Sequence, residues 1–115
     1  MDDTLRLSIL QRTNLDLSPD KAVAPSGHVV ERLLEQASPE IRAAWIAGRQ
    51  TKVTLALPNE AAWRRAIVNA RAAWLPCAPI HDAGRTGIAA GMPTAVGIGP
   101  YRWTDLAGVL RRLLA

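Results

Sequence analysis

Strand-type and helix-type patterns alternate along this chain of 115 residues, and this alternation limits the folds it can adopt. Residues 5–12 alternate apolar with polar side chains and then run apolar, which is typical of a strand partly covered by helices. The sequence Ser-Pro-acid occurs at residues 18–20 and again at 38–40. Serine caps helix amino ends and proline suits the first helical position, so each occurrence predicts a helix start. The alternation therefore favours an α/β fold.

The first predicted helix meets an obstacle soon after it begins. Pro25 and Gly27 both disfavour a helix interior, so we expect the helix to kink there or to start again at Pro25. Beyond them an apolar stripe is predicted to face the sheet, and its members are Val30, Leu33, Leu34 and Ala37. The second helix is predicted to carry Ile41, Ala44 and Trp45 on one face and to end at Gly48.

The second half of the chain repeats the alternation. Residues 53–57 are predicted to form a buried strand, and Asn59 is predicted to cap a helix whose apolar face carries Trp63, Ile67, Ala70 and Trp74. Strands are expected at residues 78–81 and 94–98, and an amphipathic helix at 103–114. These elements predict a three-layer α/β/α sandwich with a four-stranded mixed sheet, in a single domain covering residues 1–115.

Composition narrows the class of protein. Hydrophobic residues make up 49% of the chain and charged residues 21%, as in globular domains, and no apolar run reaches the ~20 residues that span a bilayer. No secretory signal pattern opens the sequence, so a cytoplasmic protein is expected. Cys77 is the only cysteine, which excludes an internal disulfide and favours a small buried side chain. The net charge of +4 favours a polyanionic partner, although arginine-rich genomes produce the same bias.

The segment from His81 to Pro100 combines five glycines with few reactive side chains. Such backbone freedom is typical of a loop that shapes a site, and equally of two ordinary turns. Asp82 directly follows a predicted strand, where ligands of open α/β folds bind, and Thr86 lies four residues on. An Asx turn at Asp82 and a loop hydrogen bond from Thr86 are the structural alternatives.

Lys21 and His28 are the other candidates for chemistry. The Lys21 ammonium could orient a carboxylate or stabilise an oxyanion, and otherwise it is a surface cation. His28 is seven residues further on, so a continuous helix would place both on one face. A histidine on an apolar helix face is more commonly a core residue whose ring nitrogens are hydrogen-bonded. Neither histidine has a metal-ligand spacing, so no metal is expected.

The order of these residues resembles the type II peptidyl-tRNA hydrolase family. The similarity runs through Asp82–Thr86, Gly91, Thr94 and Gly97–Pro100, and its upstream part includes Lys21 with His28 and Trp45 followed by residues 50–53. It covers most of the chain, and only about the last fifteen residues depart from the family pattern.

The resemblance implies an enzyme that cleaves the ester between a peptide and tRNA, with peptidyl-tRNA as substrate and no cofactor. Lys21, Asp82 and Thr86 match the family's catalytic positions, and His28 is a catalytic or structural candidate. Substrate contacts are implied for Arg85, for Arg102, and for the backbone amides of a predicted turn at Gly97 and Gly99. Family members often pair, so the leucine-rich last helix is a candidate homodimer surface.

Two departures from the family pattern leave a second function open. Pro25 and Gly87 stand where the family usually has glutamines, whose hydrogen bonds this chain lacks. A catalytically weak or inactive homologue that binds RNA or a protein is the alternative. Arg64, Arg65 and Arg71 fit either function, as a solvated surface or as contacts to a tRNA backbone.

Overall fold

The protein forms a four-stranded mixed sheet covered by helices. The computed structural model describes residues 4–15, 26–81 and 91–115. The strands are β1 Arg6–Arg12, β2 Thr51–Leu57, β3 Cys77–His81 and β4 Pro93–Tyr101. The helices are α1 Ser26–Gln36, α2 Pro39–Ala47, α3 Glu60–Ala72 and α4 Gly108–Leu113, with a 3₁₀ turn at Trp103–Asp105. The strand order is β2-β1-β4-β3, with β1 and β2 parallel and the other pairs antiparallel. The predicted mixed sheet is confirmed.

Two buried clusters cover the opposite faces of this sheet. Successive strand residues point to opposite faces, and Ile9 belongs to one cluster while the neighbouring Leu10 belongs to the other. The first cluster packs α1 and α2 on the sheet through Leu33 and Trp45. The second packs α3 and α4 through Ala66, Leu110 and their neighbours. The predicted three-layer sandwich is therefore confirmed.

Local sequence signals set the bounds of α2 and α3. The Ser38 side chain accepts a hydrogen bond from the Ile41 amide at 3.2 Å, and the Asn59 side chain accepts one from the Ala62 amide at 2.9 Å. These bonds satisfy amides that have no partner within the helix. Gly48 ends α2, as predicted. The predicted helix start at Ser18 and the kink near Pro25 lie outside the described residues.

The apolar stripe of α1 is partly confirmed. Leu33 and Ala37 are buried as predicted, but Val30 and Leu34 are only half-buried. Val29, which the prediction omitted, is 1% exposed. The buried face is therefore shifted by roughly 50° from the predicted one, which is about half of the ~100° between neighbouring positions around a helix.

Three further predictions are wrong for identifiable reasons. Trp74 is 93% exposed because α3 ends at Ala72 and Trp74 has a positive φ of 60°, so it leaves the helical face. Strand β2 is an edge strand and alternates half-buried with exposed residues up to Leu57, so it is not buried throughout. The last segment is a 3₁₀ turn followed by a short helix that begins at Gly108, so it is not one continuous helix.

The predicted turn at residues 97–100 is also wrong. These residues lie within β4, which has neighbouring strands on both sides and is buried from Thr94 to Tyr101. A β-carbon built on Gly97 would overlap Val29 Cγ1 and would lie 3.0 Å from Leu33 Cδ1. Gly97 therefore lets α1 pack directly onto the central strand, because no side chain stands between them.

Gly97→Ala tests this close approach. We expect a loss of about 1–3 kcal/mol in the free energy of unfolding, measured with urea, because the added methyl group overpacks the α1 interface. Gly108→Ala is the matched control, since its β-carbon would find only Arg112 Nη1 at 3.6 Å. Combining Gly97→Ala with Val29→Ala should recover part of the loss. Equal stability of Gly97→Ala and the wild type would contradict the close packing.

Cys77 gives a second prediction, on pH dependence. The thiol is buried as expected, and this burial raises its pKa above the ordinary 9.0, with the nearby Arg71 guanidinium opposing the shift. As the pH rises, the unfolded chain therefore loses the thiol proton at a lower pH than the folded chain does. The contribution to stability is complete below pH 9.0 and is lost as the pH rises through the folded pKa. In urea titrations above pH 9.0, stability should fall less steeply for Cys77→Ala than for the wild type; identical slopes would oppose this assignment.

Candidate functional site

All four strands have one terminus at the same end of the sheet. In the pairing register Arg12 of β1 lies beside Leu57 of β2, and His81 of β3 lies beside Pro93 of β4. The carboxyl ends of β1, β2 and β3 therefore meet the amino end of β4 at a common edge, which we call the carboxyl edge. Ligands of open α/β sheets bind beyond the carboxyl ends of strands. This edge is where the fold can present a site.

The segment that carries the predicted residues Asp82 and Thr86 begins and ends at this edge. Asp82 follows His81, the last residue of β3, and the chain from Asp82 returns to the edge at Pro93. Asp82, Arg85 and Thr86 lie outside the described residues, and so does Lys21. Whether their side chains converge stays a prediction.

His28 lies on α1 and is exposed. The expectation that it is a core histidine with satisfied ring nitrogens is therefore wrong. An exposed imidazole is open to solvent and ligands, so the catalytic assignment of His28 stays a prediction.

Gly97, Gly99 and Arg102 lie away from the carboxyl edge. Strand β4 starts there at Pro93 and rises ~3.3 Å per residue, so Arg102 lies roughly 25–30 Å along the chain direction. The Gly99 amide donates to the Pro76 carbonyl oxygen at 3.0 Å and is therefore engaged within the fold. Arg102 is half-buried and lines two cavities of about 230 and 220 Å³ at the opposite edge. The structure thus does not bring these residues to the carboxyl ends of β1 and β3.

Arg12 is the feature of the carboxyl edge that the sequence analysis missed. Its side chain is 7% exposed, which is rare for a charged residue. Nη1 donates to the Pro93 carbonyl oxygen at 2.8 Å and lies 3.6 Å from Met92 Sδ, while Nε donates to Asn14 Oδ1 at 3.1 Å. One guanidinium therefore joins the end of β1 to the start of β4. No local pattern marks Arg12, because the strand that it ends also contains Arg6, Ser8 and Gln11.

A carboxylate beside Arg12 adds α3 to this junction. Glu60 Oε1 lies 3.9 Å from Arg12 Nη1, and Glu60 Oε2 accepts a hydrogen bond from Arg64 at 2.9 Å. Glu60 lies in the first turn of α3, where a negative charge is favoured by the helix dipole. One carboxylate therefore lies between two guanidinium groups and cannot offset both of their charges fully.

An aromatic contact completes the carboxyl edge on the side of α3. The rings of Trp63 and His81 lie edge to face, with centroids 5.5 Å apart and planes at 80°. Trp63 Nε1 donates to the Ala95 carbonyl oxygen at 2.6 Å, which fixes the indole against β4. The exposed His81 ring therefore rests on an immobilised partner.

Comparison with known proteins decides the family. The family described as Peptidyl-tRNA hydrolase PTH2 matches residues 5–114, which is nearly the whole chain. The chain belongs to this family. The resemblance inferred from the motifs around Asp82 and Lys21 is confirmed at the level of the family. The family match also includes most of the last fifteen residues, where the motif resemblance ended.

Relatives in archaea and in animals share this similarity. A protein named Peptidyl-tRNA hydrolase from Methanocaldococcus jannaschii is 33% identical over 101 residues, which cover 85% of this chain and 88% of that protein. One of the same name from Methanococcus maripaludis is 32% identical over 109 residues, covering 92% and 94%. Peptidyl-tRNA hydrolase 2, mitochondrial, from Bos taurus is 30% identical over 98 residues, covering 83% of this chain and 55% of that protein.

Within residues 4–15, 26–81 and 91–115, no three histidine, cysteine or acidic side chains are grouped as metal ligands would be. The same residues contain no helix long and apolar enough to cross a membrane.

Arg12→Met tests the junction at the carboxyl edge. The free energy of unfolding should fall by roughly 1.5–3 kcal/mol, because hydrogen bonds from a charged donor to the Pro93 carbonyl and to Asn14 are lost together. Glu60→Gln should cost well under half of this, since its contact with Arg12 is long and the carboxylate is partly exposed. Denaturant titration of both variants measures the difference. Equal losses would mean that the ion pair, and not the hydrogen bonds, holds the junction.

Proposed function

We propose that this chain is a peptidyl-tRNA hydrolase that cleaves the ester between a peptide and the terminal ribose of tRNA. The observation that carries the proposal is the family match over residues 5–114, which includes the segment from Asp82 to Thr86. Relatives named for this activity align with most of the chain and with most of their own length. The fold supports the proposal, because the segment that begins at Asp82 leaves the carboxyl edge, where α/β folds bind ligands.

We assign the chemistry to Lys21, Asp82 and Thr86. The Asp82 carboxylate accepts a proton from water as that water attacks the ester carbonyl carbon, and the Thr86 hydroxyl holds the water in line. The Lys21 ammonium offsets the negative charge that develops on the carbonyl oxygen. The carbon–oxygen bond to the ribose then breaks, and the ribose oxygen takes the proton that Asp82 accepted from water, which restores the carboxylate. The products are a free peptide carboxylate and tRNA.

Arg12 fits this proposal as a support for the site. Its guanidinium fixes Pro93 and Asn14 from a buried position at the edge. Because Pro93 follows the catalytic segment and Asn14 precedes the one that carries Lys21, Arg12 is placed to hold the ends of both segments together. Rigid ends reduce the entropy lost when a site orders around its substrate.

Substrate recognition and cellular context belong to the same proposal. Arg85, which is inside the motif, is assigned to a tRNA phosphate near the ester. Arg102 lines cavities at the opposite edge of the sheet, so the predicted substrate contact at Arg102 is left out of this proposal. The activity requires no cofactor or metal in this mechanism. We place the enzyme in the cytoplasm, where peptidyl-tRNA arises, and propose the last helix, with Val109 exposed on α4, as a homodimer surface.

A second candidate function is binding of peptidyl-tRNA without turnover. Pro25 and Gly87 favour it, because each replaces a glutamine that the family resemblance implies. Loss of two hydrogen-bonding side chains near the reacting groups would weaken catalysis more than it weakens backbone contacts to tRNA.

Hydrolysis of an N-blocked aminoacyl-tRNA separates these functions. The wild type should release the amino acid with EDTA present, and Asp82→Asn and Lys21→Ala should each slow the reaction by roughly 10²–10⁴-fold. Lys52→Ala is the matched control, because Lys52 is exposed on β2 and lies outside the proposed site. Tight binding of tRNA by the wild type without any release would contradict the enzymatic proposal and favour the binding function.

A further inference from the structure

A groove between α3 and β3 runs up to the carboxyl edge and has no role in the mechanism above. Its volume is about 450 Å³. The residues that line it come from both elements and are Trp63, Arg64, Ile67, Val68, Arg71, Pro79 and His81. We call it the α3–β3 groove. It ends at His81, which directly precedes the proposed catalytic aspartate in the sequence.

The floor of the α3–β3 groove is apolar and aromatic. Val68 is 65% exposed in the middle of α3, where nothing in the described structure covers it, and Ile67 and Pro79 continue the apolar surface. At the end near the edge, the exposed His81 ring contacts the fixed Trp63 indole. Flat apolar surfaces that include an aromatic ring are the surfaces on which unpaired nucleobases stack.

The rim of the groove is cationic. Arg64 and Arg71 are both exposed, and no acidic residue is among the lining residues. Arg64 shares the carboxylate of Glu60. Among the described residues no carboxylate is paired with Arg71, so its guanidinium is available to a phosphate. Arg64 and Arg71 are each about one helical turn from Val68, so the three side chains lie on one strip of α3. A ligand with a base and phosphates could contact all three.

We propose that the α3–β3 groove binds the unpaired 3′ end of the RNA substrate, and this rests on the proposed function. A nucleobase lies on the floor formed by Val68, Pro79 and His81, and the adjoining phosphates meet Arg71 and Arg64. This placement carries the terminal ribose past His81 toward Asp82. Apolar stacking and phosphate pairing together favour single-stranded RNA over a duplex, whose bases are already stacked.

Binding of two hairpin RNAs tests the groove, one with a short unpaired 3′ end and one blunt-ended. Fluorescence anisotropy should show that the wild type prefers the hairpin with the unpaired end. Arg71→Glu should weaken that binding roughly tenfold, and Arg71→Ala should lower the slope of log affinity against log salt by about 0.7. Lys52→Glu, which makes the same change in net charge at an exposed position of β2, should change affinity by less than about twofold. Equal weakening by both charge reversals would overturn the proposal.

The floor is tested by a second matched pair of variants. Val68→Ser should reduce affinity for the unpaired end about threefold or more and leave affinity for the blunt hairpin unchanged, because only an unpaired base reaches the floor. Ile46→Ser alters an exposed isoleucine of α2 and should change neither affinity. Thermal unfolding checks that both variants remain folded. Unchanged binding by folded Val68→Ser would overturn the base-stacking floor.

The failure of this inference and that of the proposed function give different results. If the chain hydrolyses N-blocked aminoacyl-tRNA but its groove variants bind RNA like the wild type, the proposed function is supported and the groove proposal is overturned. If the chain does not hydrolyse this substrate but prefers the unpaired end through Arg71 and Val68, the proposed function is overturned and the groove proposal is supported. If the groove variants change only the dependence of hydrolysis on peptide length, the groove holds the peptide, and the RNA proposal is overturned.

Discussion

The whole arrangement depends on the close contact between α1 and the central strand β4 at Gly97. With no side chain there, Val29 and Leu33 pack directly on the strand, and one helical layer closes over a sheet whose other face is covered by α3. Burial on both faces fixes the register of β4, because a slip of one residue would exchange its two faces. That register sets where Pro93 and His81 meet, and so it sets the position of the carboxyl edge.

The carboxyl edge joins two kinds of interaction that the family's substrate would need. On the side of β1, the buried Arg12 ties Pro93 and Asn14 together, which gives fixed ends to the segments that carry the proposed catalytic residues. On the side of α3, the groove that ends at His81 offers a cationic rim and an apolar floor. A single edge can therefore hold the reacting ester and the RNA end that leads to it. The cost of the buried guanidinium is offset by its hydrogen bonds.

Sequence patterns predicted most of the fold because local signals agree with the tertiary structure at Ser38, Asn59 and Gly48. They failed where packing overrides periodicity. Trp74 has the right spacing for the α3 face but follows the end of the helix, and the glycines at 97 and 99 have turn composition but serve close packing inside β4. The family was predictable from the motif order, and the catalytic residues that this order implies stay predictions. Arg12 was not predictable, because its role comes from the pairing of strands far apart in sequence.

The central claim is that substrate binds at the carboxyl edge and along α3. Hydrogen–deuterium exchange, with and without a tRNA that carries its peptide through a non-hydrolysable amide, tests it most directly. The account predicts slower exchange in the amides that follow His81 and Arg12 and in the exposed face of α3, and no change around Thr4, Gln50 and Trp74 at the opposite edge. Protection confined to that opposite edge would contradict the account.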